Sequence, residues 1–194
     1  TVHWIENEVK PGDVFYDIGA NVGAYSFVAW AHCDKACRVY AFEPSFSTFA
    51  ALCKNIFLNN ASKGITPFQI ALGRNTCLAL LNYSSITPGG AMHTFGQKGF
   101  GGGKFSQQVL SYTLDEFVKI FGIEPPNHMK IDVDGYEFDV LLGGEATFSY
   151  PNLRSVLIEI DESLPQSQDV YKFFEKKGFS LVLKNKRGET FNCV

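Results

Sequence analysis

Apolar residues fall along this chain in short runs separated by polar, glycine-bearing segments. Val14-Phe15-Tyr16 leads into Asp17-Ile18-Gly19-Ala20-Asn21-Val22-Gly23, which opens into Ala24-Tyr25-Ser26-Phe27-Val28-Ala29-Trp30. An apolar run, a glycine turn and a longer apolar stretch predict a buried strand at about 13–18 and a helix at about 23–32. A second strand, about 38–43, ends in Glu43-Pro44. Phe49, Leu52, Cys53 and Ile56 follow at helical spacing, and Asn59-Asn60 with Gly64 ends that helix. Strands are predicted at about 65–71 and over Leu78–Tyr83. Thr113-Leu114-Asp115-Glu116 is a capping box, with Tyr112 and Phe117 as its hydrophobic staple and Gly122 as the stop. His128–Val133 reads as a strand, Asp134-Gly135 as a turn, and about 136–142 as a helix. Ser155–Ile160 is a further strand, and a helix carrying Val170, Phe173 and Phe174 stops at Gly178. Phe179–Lys184 and Glu189–Cys193 flank Asn185-Lys186-Arg187-Gly188 as a hairpin.

Alternating strands and helices predict an α/β fold: a seven-stranded, mostly parallel sheet with helices on both faces and a C-terminal antiparallel hairpin. Residues 84–108 break the alternation. Gly89-Gly90, Gly96, Gly99 and Gly101-Gly102-Gly103 predict a loop of about twenty-five residues, long enough to suggest a lid over a site.

The 194 residues are expected to form one domain, 1–194. A net charge of −3 without a long basic run argues against nucleic acid as a partner. No apolar stretch reaches the ~18–20 residues that a membrane-spanning helix needs. Five scattered cysteines are not a disulfide framework, and Cys33 with Cys37 has no second pair at zinc spacing. With no secretory signal visible, reduced thiols and a cytoplasmic location are expected.

The glycine turn after the first strand, with an acid after the second, is how an open α/β sheet holds a nucleoside. A dinucleotide fingerprint starting at Gly19 would place Asn21 where a glycine must approach the pyrophosphate. S-adenosylmethionine has no phosphate and fits better. Its carboxylate suits free backbone N–H groups at a helix start, its ammonium suits Asp17, and its ribose hydroxyls suit Glu43.

Phe15 through Gly23, Ala41-Phe42-Glu43-Pro44, Leu52 through Asn55 with Asn59, Thr113-Leu114-Asp115, Lys130 through Glu137, Leu141 through Gly143 and Glu159-Ile160 occur in order. Together they resemble the FkbM family of S-adenosylmethionine-dependent methyltransferases. Asp134 departs from the glutamate more common there. The resemblance implies a class I methyltransferase (Rossmann-like) sheet and methylation of a hydroxyl oxygen on a small-molecule or glycan acceptor: a sugar, glycolipid or secondary metabolite. A NAD-dependent oxidoreductase and a catalytically inactive nucleoside-binding or scaffold domain remain the alternatives.

Ligands bind beyond the carboxyl ends of the strands in such sheets. The expected cofactor-binding residues are Asp17, Gly19, Asn21, Gly23, Glu43 and Asp132, with Gln69 and Ala71 near adenine and Asp115 as a further candidate. Asp132 is the first choice for contact with the acceptor. Glu137 is a second catalytic candidate, or a salt-bridge partner of Lys130, and His93 is an alternative base if the glycine-rich loop closes. Asp132, Asp134 and Glu137 are a weaker reading as a divalent-cation cluster, and no metal is assigned. His128 begins its strand and so lies at the wrong end for chemistry.

Overall fold

The computed structural model describes residues 1–83, 85–89, 94–95, 105–185 and 188–193. Eleven strands alternate with six α-helices among them. In chain order these are α1 (Val2–Glu8), β1 (Val14–Ile18), α2 (Ala24–His32), β2 (Arg38–Phe42), α3 (Phe46–Leu58), β3 (Ile65–Phe68), β4 (Ala71–Leu72) and β5 (Cys77–Tyr83). Next come β6 (Thr94–Phe95), β7 (Phe105–Tyr112), α4 (Leu114–Phe121), β8 (His128–Ile131) and α5 (Glu137–Leu142). A 3₁₀ turn at Thr147–Ser149, β9 (Ser155–Ile158), α6 (Ser167–Lys176), β10 (Phe179–Asn185) and β11 (Gly188–Cys193) complete the order.

The main sheet has seven strands in the order β10-β11-β9-β8-β1-β2-β3. The five from β9 to β3 run parallel, and β11 is antiparallel to both β9 and β10. This is the expected fold class, hairpin included. The period-two alternation of side chains splits each central strand between two cores. Val14, Tyr16 and Ile18 of β1 pack with Phe42, Met129, Ile131, Leu114, Val140 and Phe174 on one face. Phe15 packs on the other with Trp4, Ile5, Trp30, Leu52 and Ile56, which covers that face with α1, α2 and α3.

Three expectations change. The strand predicted at 65–71 is two strands in two sheets, because β3 leaves its ladder at Phe68 and Ala71–Leu72 pairs with Ser111–Tyr112 of β7. A second sheet, β4-β7-β5-β6, takes up part of the segment expected to be a structureless loop: Thr94–Phe95 pairs with Leu81-Asn82, and β7 begins at Phe105. Helix α1 was not foreseen. It buries only Trp4 and Ile5 within seven residues, too few to establish a helical period.

The capping box forms in modified form. Thr113 Oγ1 accepts the Glu116 N–H at 3.1 Å, but the return bond comes from elsewhere: the Thr113 N–H donates to Thr76 Oγ1 at 3.0 Å. Tyr112 and Phe117 meet edge to face at 5.5 Å, as the staple requires.

Candidate active site

A cavity of about 490 Å³ lies beyond the carboxyl ends of β1, β2 and β8. Gly19, Asn21, Glu43, Ala71, Asp132 and Tyr136 are on its wall. Its floor is the turn after β1. Gly19 and Ala20 both donate to the Phe42 carbonyl at 3.0 Å, which ties that turn to β2. Gly19 has φ +75°, and a Cβ there would sit 1.8 Å from the Asp132 carbonyl oxygen. Only glycine permits so close a crossing of the β1 turn and the β8 end. Gly23 serves packing instead: a Cβ at that position would meet Leu52 Cδ1 at 2.6 Å, and Gly23 is not on the cavity wall.

Asn21 takes φ +53° and closes on itself, its Oδ1 accepting the Val22 N–H at 2.8 Å. Its own N–H donates to Glu43 Oε2 at 3.0 Å, while Glu43 Oε1 accepts the Ser45 N–H at 2.9 Å. Glu43 is almost fully buried but stands on the wall. Burial pushes its carboxyl up to about 7. The Ser45 and Asn21 N–H groups oppose that rise, Asp17 adds to it, and Lys130 opposes it. Each carboxylate oxygen keeps a lone pair for a second donor.

Asp17 is absent from the cavity wall. It is fully buried, with Oδ2 accepting from Ser26 Oγ at 2.6 Å and Oδ1 lying 3.4 Å from Lys130 Nζ. Lys130 is the hub beneath the site. Its ammonium donates to the Gly19 carbonyl at 3.3 Å, lies 3.2 Å from Asp132 Oδ2 and faces the Tyr25 ring at 5.3 Å. Burial alone would lower the Lys130 pKa, yet the charges and hydrogen bonds of Asp17 and Asp132 outweigh it and hold the pKa up. Asp132 is half-buried and remains on the wall.

Glu137 is placed differently from either expectation. Its Oε1 accepts the Val133 N–H at 3.2 Å and the Gly135 N–H at 3.1 Å, bracing the turn through Asp134 and Gly135. Burial raises its pKa, partly offset by those backbone donors. It is absent from the cavity wall, and Lys130 pairs with Asp17 and Asp132 rather than with Glu137. Among the described residues, Asp132, Asp134 and Glu137 form no metal-ligand cluster.

Gln69 is exposed and off the wall, whereas Ala71 is buried on it beside Ile70 and Leu72. His93 lies outside the described residues. Asp115 is committed to structure, accepting from the Ala146 N–H, the Thr147 N–H and Thr147 Oγ1 at 2.8, 2.8 and 2.6 Å. His128 sits at the opposite end of the sheet. It is buried, with Nδ1 2.7 Å from Ser155 Oγ, Nε2 2.9 Å from an Arg154 nitrogen and 3.3 Å from Asp13.

Sequence reasoning missed the wall contributed by Gly73, Arg74, Asn75, Cys77 and Ser111. Arg74 Nε reaches Asp139 Oδ1 at 3.0 Å, joining the β4–β5 turn to α5. The available signal was the Ile70-Ala71-Leu72-Gly73 run, which continues the cavity wall past the end of β3.

Whether the residues present suit S-adenosylmethionine is decided by three observations. A glycine-only crossing leaves the floor open, a buried carboxylate with spare lone pairs faces the cavity, and Ile70, Ala71 and Leu72 add an apolar stretch to its wall. Those surfaces match a backbone-lined amino-acid end, a ribose diol and a flat base, and the volume lies within the usual range for such ligands.

Comparison with known proteins places the chain. The family described as the methyltransferase FkbM domain matches residues 17–181. The hexuronic acid methyltransferase AglP of Haloferax volcanii is 28% identical over 185 residues, covering 95% of this chain and 71% of that protein. The 31-O-demethyl-FK506 methyltransferase FkbM of Streptomyces tacrolimicus is 26% identical over 201 residues, covering 90% of this chain and 75% of that one. Among solved structures, methyltransferase FkbM from Methylobacillus flagellatus superposes with a TM-score of 0.67 at 14% identity. That superposition takes in 94% of this chain but only 44% of the longer one, and at that identity it speaks to the fold.

Proposed function

The chain belongs to the FkbM methyltransferase family, and we propose that it methylates a hydroxyl oxygen of a sugar, glycolipid or secondary metabolite. The methyl donor is S-adenosylmethionine, which supplies a methyl group already activated on a sulfonium. The observation that carries the reading is the buried Glu43 on the cavity wall, each oxygen held by one backbone N–H and each with room for another donor.

In this reading Glu43 holds the ribose diol. Gly19 and Asn21 supply the close backbone floor, and Ala71 with Leu72 forms the wall against adenine. Asp132 stands where the reacting end of the donor meets the acceptor. An oxygen acceptor is supported by the name of one relative, which acts on a 31-O-demethyl compound, and a sugar acceptor by the name of another, which acts on a hexuronic acid. Because the donor is activated, positioning carries much of the rate, and a base for the hydroxyl proton supplies the rest.

Calorimetric titration tests the cofactor half: S-adenosylhomocysteine binds and NAD does not. Incubation with methyl-labelled donor and a panel of glycans, glycolipids and alcohols, followed by mass spectrometry, tests the acceptor half. Label recovered on nitrogen or carbon, and never on oxygen, would overturn it.

A further inference from the structure

A second cavity, of about 430 Å³, lies beside the first. Tyr25, Lys130, Asp132, Leu157 and Glu159 line it together with His3. Asp132 is on the wall of both cavities. The second cavity follows from strand register. β8 and β9 run parallel with Ile131 opposite Ile158, and the Glu159 N–H continues the ladder to the Ile131 carbonyl at 3.0 Å. Asp132 and Glu159 are therefore neighbours at the carboxyl ends of adjacent strands. By the same alternation, Lys130 and Leu157 sit one pleat below them on the same face.

Resting on the function proposed above, we infer that this second cavity is the acceptor chamber, that it takes an uncharged polyhydroxyl compound, and that Glu159 receives the proton of the hydroxyl being methylated. Three observations support this. First, a chamber that shares Asp132 with the cofactor cavity brings an acceptor up to the donor's reacting end. Second, the ammonium on its wall is already engaged: Lys130 is shared among Asp17 Oδ1, Asp132 Oδ2 and the Gly19 carbonyl. Two carboxylates beside an engaged cation accept hydrogen bonds from hydroxyls and repel an anion. Thr1, Tyr25 and His3 also line the wall; Tyr25 faces the Lys130 ammonium at 5.3 Å, and His3 is exposed and lies 3.4 Å from Glu6.

Third, the two acids divide the work. Asp132 has one oxygen tied to Lys130, while Glu159 is the more exposed and projects into the chamber. Desolvation raises the proton affinity of Glu159, as do the charge of Asp132, the charge of Glu137 and a hydrogen bond with Asp132; Lys130 opposes them. A carboxylate tuned upward is a better acceptor for a hydroxyl proton. In the step itself the acceptor O–H bond breaks toward a Glu159 oxygen, and the oxygen's electron pair forms the new O–CH₃ bond. The sulfonium C–S bond breaks with its pair left on sulfur as a neutral thioether. Protonated Glu159 then releases its proton to water.

The test uses the whole chain saturated with S-adenosylhomocysteine and two probes, methyl β-D-glucopyranoside and methyl β-D-glucuronopyranoside. Saturation-transfer NMR is expected to show the neutral glycoside bound and the uronide at least tenfold weaker. Glu159→Gln should leave the S-adenosylhomocysteine Kd within twofold of wild type while methyl transfer to the glucoside falls about 10²-fold. The ascending limb of the pH–rate profile should vanish with it, and Glu159→Asp should restore part of the rate. With S-adenosylhomocysteine bound normally, the inference is overturned by uronide binding equal to the glucoside, by no glucoside binding or transfer, or by Glu159→Gln turnover at the wild-type level. Failure of the wild type to bind S-adenosylhomocysteine would overturn the cofactor reading too, which separates the two claims.

Discussion

Glu43 Oε2 accepts the Asn21 N–H at 3.0 Å, so one buried carboxylate clamps the turn after β1 to the end of β2. The same group faces the cavity proposed for the cofactor, and burial pushes its carboxyl up to about 7. A ribose diol donates to the ionised form, so cofactor affinity should fall as pH falls through 7. S-adenosylhomocysteine should bind about tenfold more weakly at pH 6 than at pH 8, the ratio expected for a site competent only when deprotonated. Glu43→Ala should weaken binding by about 1–3 kcal/mol, the cost of losing hydrogen bonds to a charged group. Glu43→Gln should flatten the pH dependence. Calorimetry at three pH values checks all of this, and a wild-type affinity that does not move with pH would detach Glu43 from the ligand.

Gly19→Ala separates steric from conformational cost. A methyl at Gly19 would lie 1.8 Å from a backbone oxygen that cannot rotate away, at a φ of +75°. Gly12 has φ +91° and nothing within 4 Å of its would-be Cβ. Gly12→Ala should therefore carry only the left-handed penalty, about 1–2 kcal/mol. Gly19→Ala should add about 1–3 kcal/mol of overpacking to that and also lose S-adenosylhomocysteine binding. Urea unfolding of both variants measures the difference, and equal losses would mean that the β1–β8 crossing is looser than these distances indicate.

That contrast also shows what could be read from the chain in advance. The places of Gly19, Asn21 and Glu43 on the cavity wall were legible because they are set by backbone geometry, which glycine spacing and strand length encode locally. Asp17 was read as a cofactor ligand and lies instead under the floor, because a buried acid and a ligand acid look alike until their partners are known. Its partner Lys130 is more than a hundred residues away in the chain, and no local pattern reports that pairing. Glu137 was ambiguous for a similar reason: whether it faces the cavity or its own turn depends on the positive φ of Asp134 and Gly135. The second sheet was hidden by the glycines that lie between its strands in the sequence. Gly96 through Gly103 read as a loop, yet the strand beginning at Phe105 pairs with Cys77–Tyr83 across a long separation.

His128 predicts acid sensitivity that does not involve catalysis. Burial, then the Arg154 charge, lowers its pKa to about 4 from an ordinary 6.5, although Asp13 pulls the other way. The unfolded chain takes up this proton first. The stability His128 contributes is therefore complete above pH 6.5 and is lost as pH falls toward 4, on the order of 3 kcal/mol in all. Glu43 works in the opposite sense: its raised pKa makes its contribution grow as pH drops from 7 toward 4.5. Comparing wild type with His128→Asn isolates the histidine. Urea midpoints between pH 7 and pH 4 should fall more steeply for the wild type, and parallel slopes would assign the acid lability to other groups.

The Lys130–Asp17 pair makes the sharpest energetic prediction. Asp17 Oδ1 is buried and depends on the Lys130 ammonium 3.4 Å away. Lys130→Met leaves that carboxylate charged and uncompensated, which should cost about 3–5 kcal/mol. Adding Asp17→Asn removes the stranded charge and should recover a large part of the loss, because a neutral buried pair avoids the desolvation of two ions. Asp132→Asn should cost much less than Lys130→Met, since the Asp132 side chain is 35% exposed and water can replace the lysine. A double-mutant cycle by urea unfolding should give a coupling of about 1–3 kcal/mol between positions 17 and 130. If the two losses simply add, the ammonium is held by the Gly19 carbonyl and Asp132 instead, and Asp17 must be stabilised through Ser26 alone.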